Sequence, residues 1–264
     1  MIPKKIHYCW FGGNPLPLLA QKCIESWKKY LPDYEIIEWN ESNYNVHKIP
    51  YISQAYEAKK YAFVSDYARV DILNEHGGVY FDTDVEVLKD LFPILIKGQF
   101  LGIEAPGAIN NGLGMAAEKA DAILLEILES YSKENFVNSD GTYNLKTVVT
   151  RVSDIFRNYG FTDDADHVQE IANYNIYPAE YFSPKNVVTG IIRITENTYA
   201  IHHYDASWLE DWQKQVQIKK HKIFNKLGEN IVSKGLVSIY YAYMALYKLG
   251  MKDGIDYIFS KIRS

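Results

Sequence analysis

The sequence has few cysteines, no long apolar run and no overall excess of basic charge. Only two of its 264 residues are cysteines, Cys9 and Cys23, which excludes a disulfide-stapled scaffold and is typical of a reducing compartment. The longest nearly apolar stretch, residues 236–246, is far shorter than the ~20 residues that span a bilayer. Residues 1–7 lack the apolar stretch and cleavage site of a secretory signal. We therefore expect a cytoplasmic protein that is at most peripheral to a membrane.

The composition that is present is ordinary for a globular protein, but its charge is unevenly distributed. Hydrophobic residues make up 47% of the chain and charged residues 23%, which suffices for a substantial core. The net charge of −5 argues against a general nucleic-acid-binding protein, which is normally basic. Residues 213–264 hold ten Lys and Arg against three Asp and Glu, a net charge of +7, so residues 1–212 carry −12. An acidic body is thus followed by a basic tail.

Strand-like and helical patterns alternate along the chain. Gly77 and Gly78 end the longest helical segment, and beyond Trp208 the pattern is helical to the end. The alternation predicts an α/β sheet domain over residues 1–210 and a helical extension over residues 211–264. The expected strands cover residues 4–10, 34–39, 79–81, 85–88, 100–104 and 198–204, and the expected helices cover residues 16–30, 53–74, 120–131 and 145–159.

The Asp82-Thr83-Asp84 triplet directly follows an apolar strand, residues 79–81. Carboxylates at i and i+2 of an extended chain point the same way, so both can face one ion, and ligands gather beyond the carboxyl ends of strands. Hard oxygen ligands suit Mg²⁺ or Mn²⁺, which neutralise charge on a departing diphosphate. The alternative is a solvated turn, because isolated Asp-x-Asp triplets are common.

The preceding helix carries two further candidate residues, Asp66 and Arg69. They share one face with Leu73, while Val64 and Ala68 lie on the opposite face, so the helix is apolar on both sides. One interpretation is a local ion pair at i, i+3. The functional interpretation assigns Asp66 to sugar hydroxyls and Arg69 to a sugar or phosphate oxygen.

Four segments carry a resemblance to a known family. The central ones are residues 64–69, VSDYAR, and residues 75–84, EHGGVYFDTD; the flanking ones are residues 2–13, IPKKIHYCWFGG, and residues 199–208, YAIHHYDASW. Together they resemble glycosyltransferase family 32, which includes capsular-polysaccharide and mannosyl transferases, and the glucosylating domain of the large clostridial toxins. The resemblance implies a GT-A-type α/β fold with a mixed central sheet, a nucleotide-diphosphate sugar donor, Mn²⁺ or Mg²⁺, and transfer with retention.

The resemblance also implies roles for individual residues. Asp66 and Arg69 match donor-sugar contacts, Asp82 and Asp84 match the metal and ribose–diphosphate motif, and Asp84 is expected to be the more direct ligand. His202 matches a metal-binding histidine better than His203 does, since neighbours on a strand point to opposite sides. Trp10 matches a residue that stacks on the nucleotide base, and Tyr80 is a candidate for a nucleotide contact; the alternatives are a core Trp and a buried strand Tyr. Asn111 is a candidate for the sugar pocket, and the alternative is an Asn-Gly turn. Ser207 and Trp208 match a loop that closes over the diphosphate.

The main hypothesis is therefore a metal-dependent retaining glycosyltransferase that modifies a saccharide or lipid-linked acceptor, in surface (capsular, exo- or lipo-) polysaccharide synthesis. A non-catalytic nucleotide-sugar-binding protein on the same fold is an alternative. A haloacid-dehalogenase-type phosphatase using Asp82 is a further one, although Glu86 stands where such enzymes normally have Thr or Val. The basic tail, residues 213–264, has two interpretations: a peripheral membrane contact, or a helical subdomain with solvated lysines, which we favour.

Overall fold

The computed structural model describes residues 1–104, 107–162, 164–205 and 209–263. The chain divides into two compact units. The first comprises Met1–Lys185 and Arg193–Tyr204, and the second comprises Asn186–Ile192 and Asp205–Ser264. The boundary at residue 210 stays a prediction.

The first unit is built on a mixed β-sheet. Within the described residues, seven strands form this sheet in the order β2-β1-β3-β6-β5-β8-β7. Neighbours β1 and β2, β1 and β3, and β5 and β8 pair in parallel, and the other pairs are antiparallel. A second, two-stranded sheet pairs β4 with β9. The strands are β1 Lys5–Cys9, β2 Glu35–Trp39, β3 Gly78–Tyr80, β4 Val85–Val87, β5 Gln99–Glu104, β6 Ala108–Ala117, β7 Gln169–Ile171, β8 Tyr174–Tyr177 and β9 Ala200–His202.

Helices of the first unit supply two buried apolar clusters that pack with the sheet. One cluster includes the apolar side chains of α3, among them Val64 and Ala68. The other includes Trp27, whose indole N–H also donates to the carbonyl of Val85 at 2.7 Å and so ties α1 to β4. The helices are α1 Leu18–Tyr30, α2 Pro50–Glu57, α3 Tyr61–His76, α4 Phe92–Leu95, α5 Ala122–Ser132, α6 Val148–Asn158 and α7 Ala179–Phe182.

Two sequence-based expectations are corrected here. The helical segment predicted over residues 53–74 is two helices, α2 and α3, because the chain turns between them and Lys59 adopts a positive φ of 56°. The alternative of a turn at Asn110-Asn111-Gly112 is wrong, since these residues lie within β6 at the centre of the sheet. The predicted α/β class with a mixed central sheet is confirmed.

The second unit contains the helices α8 Asp211–Leu227, α9 Ile231–Leu249 and α10 Met251–Arg263. Its small core centres on Trp212, Val216, Met244 and Ala245. Among the helices of the described residues, none is long and apolar enough to cross a bilayer.

Candidate active site

Two chain segments far apart in sequence place the Asp82-Thr83-Asp84 triplet. The triplet follows β3, and the backbone N–H of Asp82 donates to the carbonyl of Gly112 on β6 at 3.0 Å. On the other side, β4 pairs antiparallel with β9, so Val85 lies opposite His202. The backbone N–H of His203 donates to the carbonyl of Asp84 at 2.9 Å. The triplet is therefore fixed between the central sheet and the two-stranded sheet.

Arg69 gathers the carboxylates of this site. Its Nη2 lies 3.0 Å from Asp66 Oδ1 and 3.0 Å from Asp82 Oδ1, and its side chain is only 5% exposed. The guanidinium also donates to the Ser65 carbonyl at 3.2 Å and to Asn111 Oδ1 at 3.3 Å. The local ion pair with Asp66 therefore exists, but it is one part of a larger cluster. The buried Arg69 guanidinium, with its several N–H donors, orients both carboxylates and offsets their negative charge.

Gly112 gives the Asp82 carboxylate the space it occupies. A Cβ atom at Gly112 would lie 2.0 Å from Asp82 Oδ2 and 2.7 Å from Arg69 Nη1, distances that no side chain permits. The preceding residue, Asn111, is fully buried and accepts a hydrogen bond from Arg69. Its amide Nδ2 has no hydrogen-bond partner among the described residues. The strand β6 thus contributes both room for a carboxylate and an unpaired buried donor.

The side chains of His202, the last residue of β9, and His203, the next residue, point in different directions, as expected for neighbours on an extended chain. His202 Nε2 lies 3.0 Å from Asp84 Oδ1, whereas His203 Nε2 lies 2.9 Å from Glu86 Oε2. The structure therefore brings His202, and not His203, to the aspartate triplet. His202 Nδ1 is buried and has no hydrogen-bond partner in the described part of the chain.

Burial and charge shift the pKa values of these groups in ways that follow from their neighbours. Burial raises the pKa of Asp66 to about 6, against the opposing charge of Arg69. Burial likewise raises the pKa of Asp82, although Arg69 and His202 oppose the shift. Burial lowers the pKa of His202, but the charges of Asp84 and Asp82 outweigh burial and leave it raised. Burial is thus the first cause of the raised carboxyl pKa values, and the neighbouring carboxylates are the cause of the raised pKa of His202.

The donor atoms suit a divalent cation chemically, since two carboxylates and an imidazole with an unpaired nitrogen stand together. They do not form a ready-made three-ligand cage. Across residues 1–104, 107–162, 164–205 and 209–263, no group of three or more His, Cys, Asp or Glu side chains is arranged to hold a metal ion. Within the site, Asp82 Oδ1 contacts Arg69, and Asp84 Oδ1 contacts His202. A cation would have to displace the His202–Asp84 contact, so the predicted set Asp82, Asp84 and His202 stays a prediction.

The other predicted site residues occupy varied positions. Trp10 is half-buried just beyond β1, and its indole N–H donates to the Asn14 carbonyl at 2.6 Å. Tyr80 is 1% exposed; its hydroxyl donates to Asp82 Oδ1 at 3.1 Å, and the Arg69 guanidinium lies 5.0 Å from its ring centre. Tyr80 therefore supports the aspartate from within the protein. Ser207 and Trp208 lie outside the described residues.

A second polar group, which is absent from the predicted site residues, borders the triplet. Glu104, at the end of β5, accepts hydrogen bonds from Asn110 Nδ2 at 2.8 Å and from the Tyr204 hydroxyl at 3.3 Å. The ring of Tyr204 packs on His202 with centres 4.1 Å apart, and Tyr204 has a positive φ of 51°. Glu104 accepts the Tyr204 hydroxyl and the Tyr204 ring packs on His202, so this pair is suited to position that imidazole. No spacing in the sequence links these residues, because they come from three separate segments.

Comparison with known proteins gives the site its family context. Residues 17–101 match the family described as glycosyltransferase sugar-binding region containing DXD motif. The chain is 29% identical over 143 residues to inositol phosphoceramide mannosyltransferase 3 of Schizosaccharomyces pombe, which covers 51% of this chain and 38% of that protein. It is 24% identical over 200 residues to an uncharacterized glycosyltransferase of Acanthamoeba polyphaga mimivirus, covering 70% of this chain and 77% of that protein. The chain thus spans less than half the length of the first of these relatives.

Among solved structures, the chain is similar to PaToxG glycosyltransferase, with a TM-score of 0.46, 21% sequence identity, and coverage of 60% of this chain and 69% of that one. The matched family region contains Asp66, Arg69 and the Asp82-Thr83-Asp84 triplet, which the fold brings together around one guanidinium. Residues 17–101 are therefore similar to the DXD sugar-binding region of glycosyltransferases, which supports the predicted resemblance to family 32.

Proposed function

We propose that this protein transfers a sugar from a nucleotide-diphosphate donor to a hydroxyl acceptor, in a metal-dependent reaction that retains the anomeric configuration. The observation that carries the proposal is the buried cluster of Asp66, Arg69 and Asp82, with Asp84 and His202 beside it. The burial of this cluster argues against the alternative that Asp82-Thr83-Asp84 is a solvated turn. It presents carboxylates that need a cation, next to an unpaired buried donor on Asn111.

The named relatives suggest the class of sugar and acceptor. The Schizosaccharomyces pombe protein is an inositol phosphoceramide mannosyltransferase by name. We propose a hexose, with mannose as the first candidate, and a lipid-linked or saccharide acceptor of the kind used in surface polysaccharide synthesis. We further propose that the protein works in the cytoplasm, in keeping with its low cysteine content.

In this proposal Asp84, Asp82 and His202 would hold a Mn²⁺ or Mg²⁺ ion. The ion supplies positive charge where the leaving diphosphate becomes more negative. The donor set is chemically suited to either ion, because carboxylate oxygens are hard ligands and imidazole tolerates Mn²⁺.

The protein's own side chains would orient the donor sugar. Asp66 accepts hydrogen bonds from sugar hydroxyls, and the unpaired Nδ2 of Asn111 donates one. Arg69 is already engaged by protein acceptors, so we assign it the positioning of Asp66 and Asp82 as well as the predicted contact with the donor. Asp66 and Asp82 each contact Arg69 Nη2 through Oδ1, and we assign neither as a nucleophile. We therefore propose attack by the acceptor hydroxyl on the face of the leaving group, with its proton passing to a phosphate oxygen.

The test is hydrolysis and transfer with a panel of nucleotide-diphosphate sugars, with and without Mn²⁺. We expect turnover of one donor that depends on the metal and falls about 100-fold or more in Asp84→Asn. The matched control is Asp33→Asn, which alters an exposed carboxylate paired with Lys4. The anomeric configuration of the product, read by NMR, checks retention.

Two outcomes would contradict the proposal. Wild-type turnover in Asp84→Asn would show that the site is wrongly assigned. Tight binding of a nucleotide sugar without turnover, across a broad acceptor panel, would instead favour the non-catalytic alternative.

A further inference from the structure

The second unit leaves a row of large apolar side chains in contact with solvent along α9. The row follows helical spacing, with steps of three or four residues, so its members share one narrow face. Each of these side chains is between 43% and 69% exposed. The row consists of Val232, Leu236, Ile239, Tyr243 and Tyr247. The rings of Tyr243 and Tyr247 stack with centres 6.0 Å apart.

The helix α10 carries a second row of the same kind. Met251, Ile255 and Phe259 recur every four residues and are between 40% and 72% exposed. The two helices pack closely, because Gly254 lies against the backbone of Leu246. Soluble proteins seldom leave this much apolar surface exposed in regular rows. The exposed apolar rows of α9 and α10 therefore indicate a surface that binds a partner.

Lysines accompany the apolar rows. Lys248 Nζ lies 5.3 Å from the ring centre of Tyr247. Lys252 is exposed and directly follows Met251. Over residues 231–263, which span α9 and α10, five Lys and Arg stand against two Asp, a net charge of +3. An apolar strip bordered by ammonium groups is complementary to a surface that offers acyl chains beneath anionic headgroups.

We propose that the exposed faces of α9 and α10 dock this protein on the surface of an anionic bilayer. Tyrosine is suited to the interface between headgroups and acyl chains, because its ring is apolar and its hydroxyl is polar. A two-fold contact between copies would instead place two surfaces of the same positive charge against each other, which is unfavourable. The proposal goes beyond glycosyl transfer, and binding is measured without donor, acceptor or metal, so its failure is separate from failure of the proposed activity.

The experiment is flotation of the full chain with vesicles of phosphatidylcholine, with and without phosphatidylglycerol. We expect binding that needs the anionic lipid and weakens with salt. The double variant Ile239→Ser, Tyr243→Ser should reduce the partition constant by at least about tenfold, since it removes two inserted apolar side chains. Its matched control is Ile96→Ser, Phe92→Ser, which alters two similarly exposed apolar residues of the first unit and should bind like wild type.

A charge variant provides an independent arm. Lys248→Gln, Lys252→Gln should reduce binding to anionic vesicles by about tenfold or more, while Lys133→Gln, just after α5, should not. Circular dichroism confirms that each variant is folded. Equal flotation of the row variant and wild type, or no flotation of wild type, would overturn the proposal. So would light scattering that shows a wild-type dimer which the row variant abolishes, with vesicle binding unchanged.

Discussion

The geometry at Gly112 makes Gly112→Ala the sharpest perturbation of the site. The residue sits within β6, and its φ is not positive, so alanine can adopt the same backbone conformation. The added methyl group is the entire change. In the present structure this methyl carbon would stand 2.0 Å from Asp82 Oδ2 and 2.9 Å from Asp82 Cγ.

The size of the effect follows from these distances. Carbon and oxygen atoms do not approach closer than roughly 3 Å, so the Asp82 carboxylate must recede by about 1 Å or more. That movement breaks the 3.0 Å contact between Asp82 and Arg69 Nη2, which also orients Asp66. A misplacement of this size at a reacting centre costs on the order of 100-fold in rate. Overpacking also lowers the free energy of unfolding by about 1–3 kcal/mol.

The assay compares donor turnover and thermal unfolding in the same preparations. The matched control is Gly102→Ala on β5, whose methyl group would meet Leu113 Cδ1 and Phe182 Cδ2, each at 3.3 Å. Both neighbours are core side chains away from the carboxylates, so Gly102→Ala should lose stability and keep its turnover. The reasoning would be refuted if Gly112→Ala kept turnover within about threefold of wild type, or if both variants lost it equally at equal stability.

Two further predictions concern stability and the imidazole. Burial lowers the pKa of His7 from 6.5 to about 4, so between these two pH values the unfolded chain binds a proton at His7 and the folded protein does not. The free energy of unfolding therefore falls by up to about 3 kcal/mol as the pH drops from 6.5 to 4. Urea unfolding across this range should show a smaller loss in His7→Gln, and an equal loss would contradict the assignment. Glu104→Gln removes a charge that raises the pKa of His202, so the pH–rate profile should move to lower pH and turnover should fall about tenfold. Glu118→Gln, an exposed control, should leave the profile unchanged, and an unmoved profile in Glu104→Gln would exclude the positioning role.

The predicted elements that agree with the structure are those with strong local signals. The first helix, expected over residues 16–30, is α1 Leu18–Tyr30, because its apolar period and the two prolines before it are properties of adjacent residues. The strand β6 was missed, although it lies at the centre of the sheet. Its sequence, AINNGLGMAA, is rich in Ala, Asn and Gly, which have low strand propensity, and Asn-Gly is typical of turns. Burial between β3 and β5 overrides that preference.

The α/β class, the basic tail and the candidate residues of the aspartate motif are predictable from the sequence, because local patterns and a short run of consecutive residues carry them. Asp82 and Asp84, with Asp66 and Arg69 one helix earlier, needed no knowledge of distant contacts. The preference for His202 over His203 also comes from the sequence, but its contact with Asp84 depends on the tertiary structure, since the register of β4 with β9 places Val85 opposite His202.

The low cysteine content and the lack of a long apolar run do not predict where exposed apolar side chains lie in the folded protein. The tertiary structure also decided that Gly112 makes room for Asp82 and that Glu104 and Tyr204 border the site. It decided as well which apolar residues of α9 and α10 are left outside the core. These facts depend on which segments meet, and a meeting of segments about 30 to 120 residues apart is set by packing of the whole domain rather than by any local pattern.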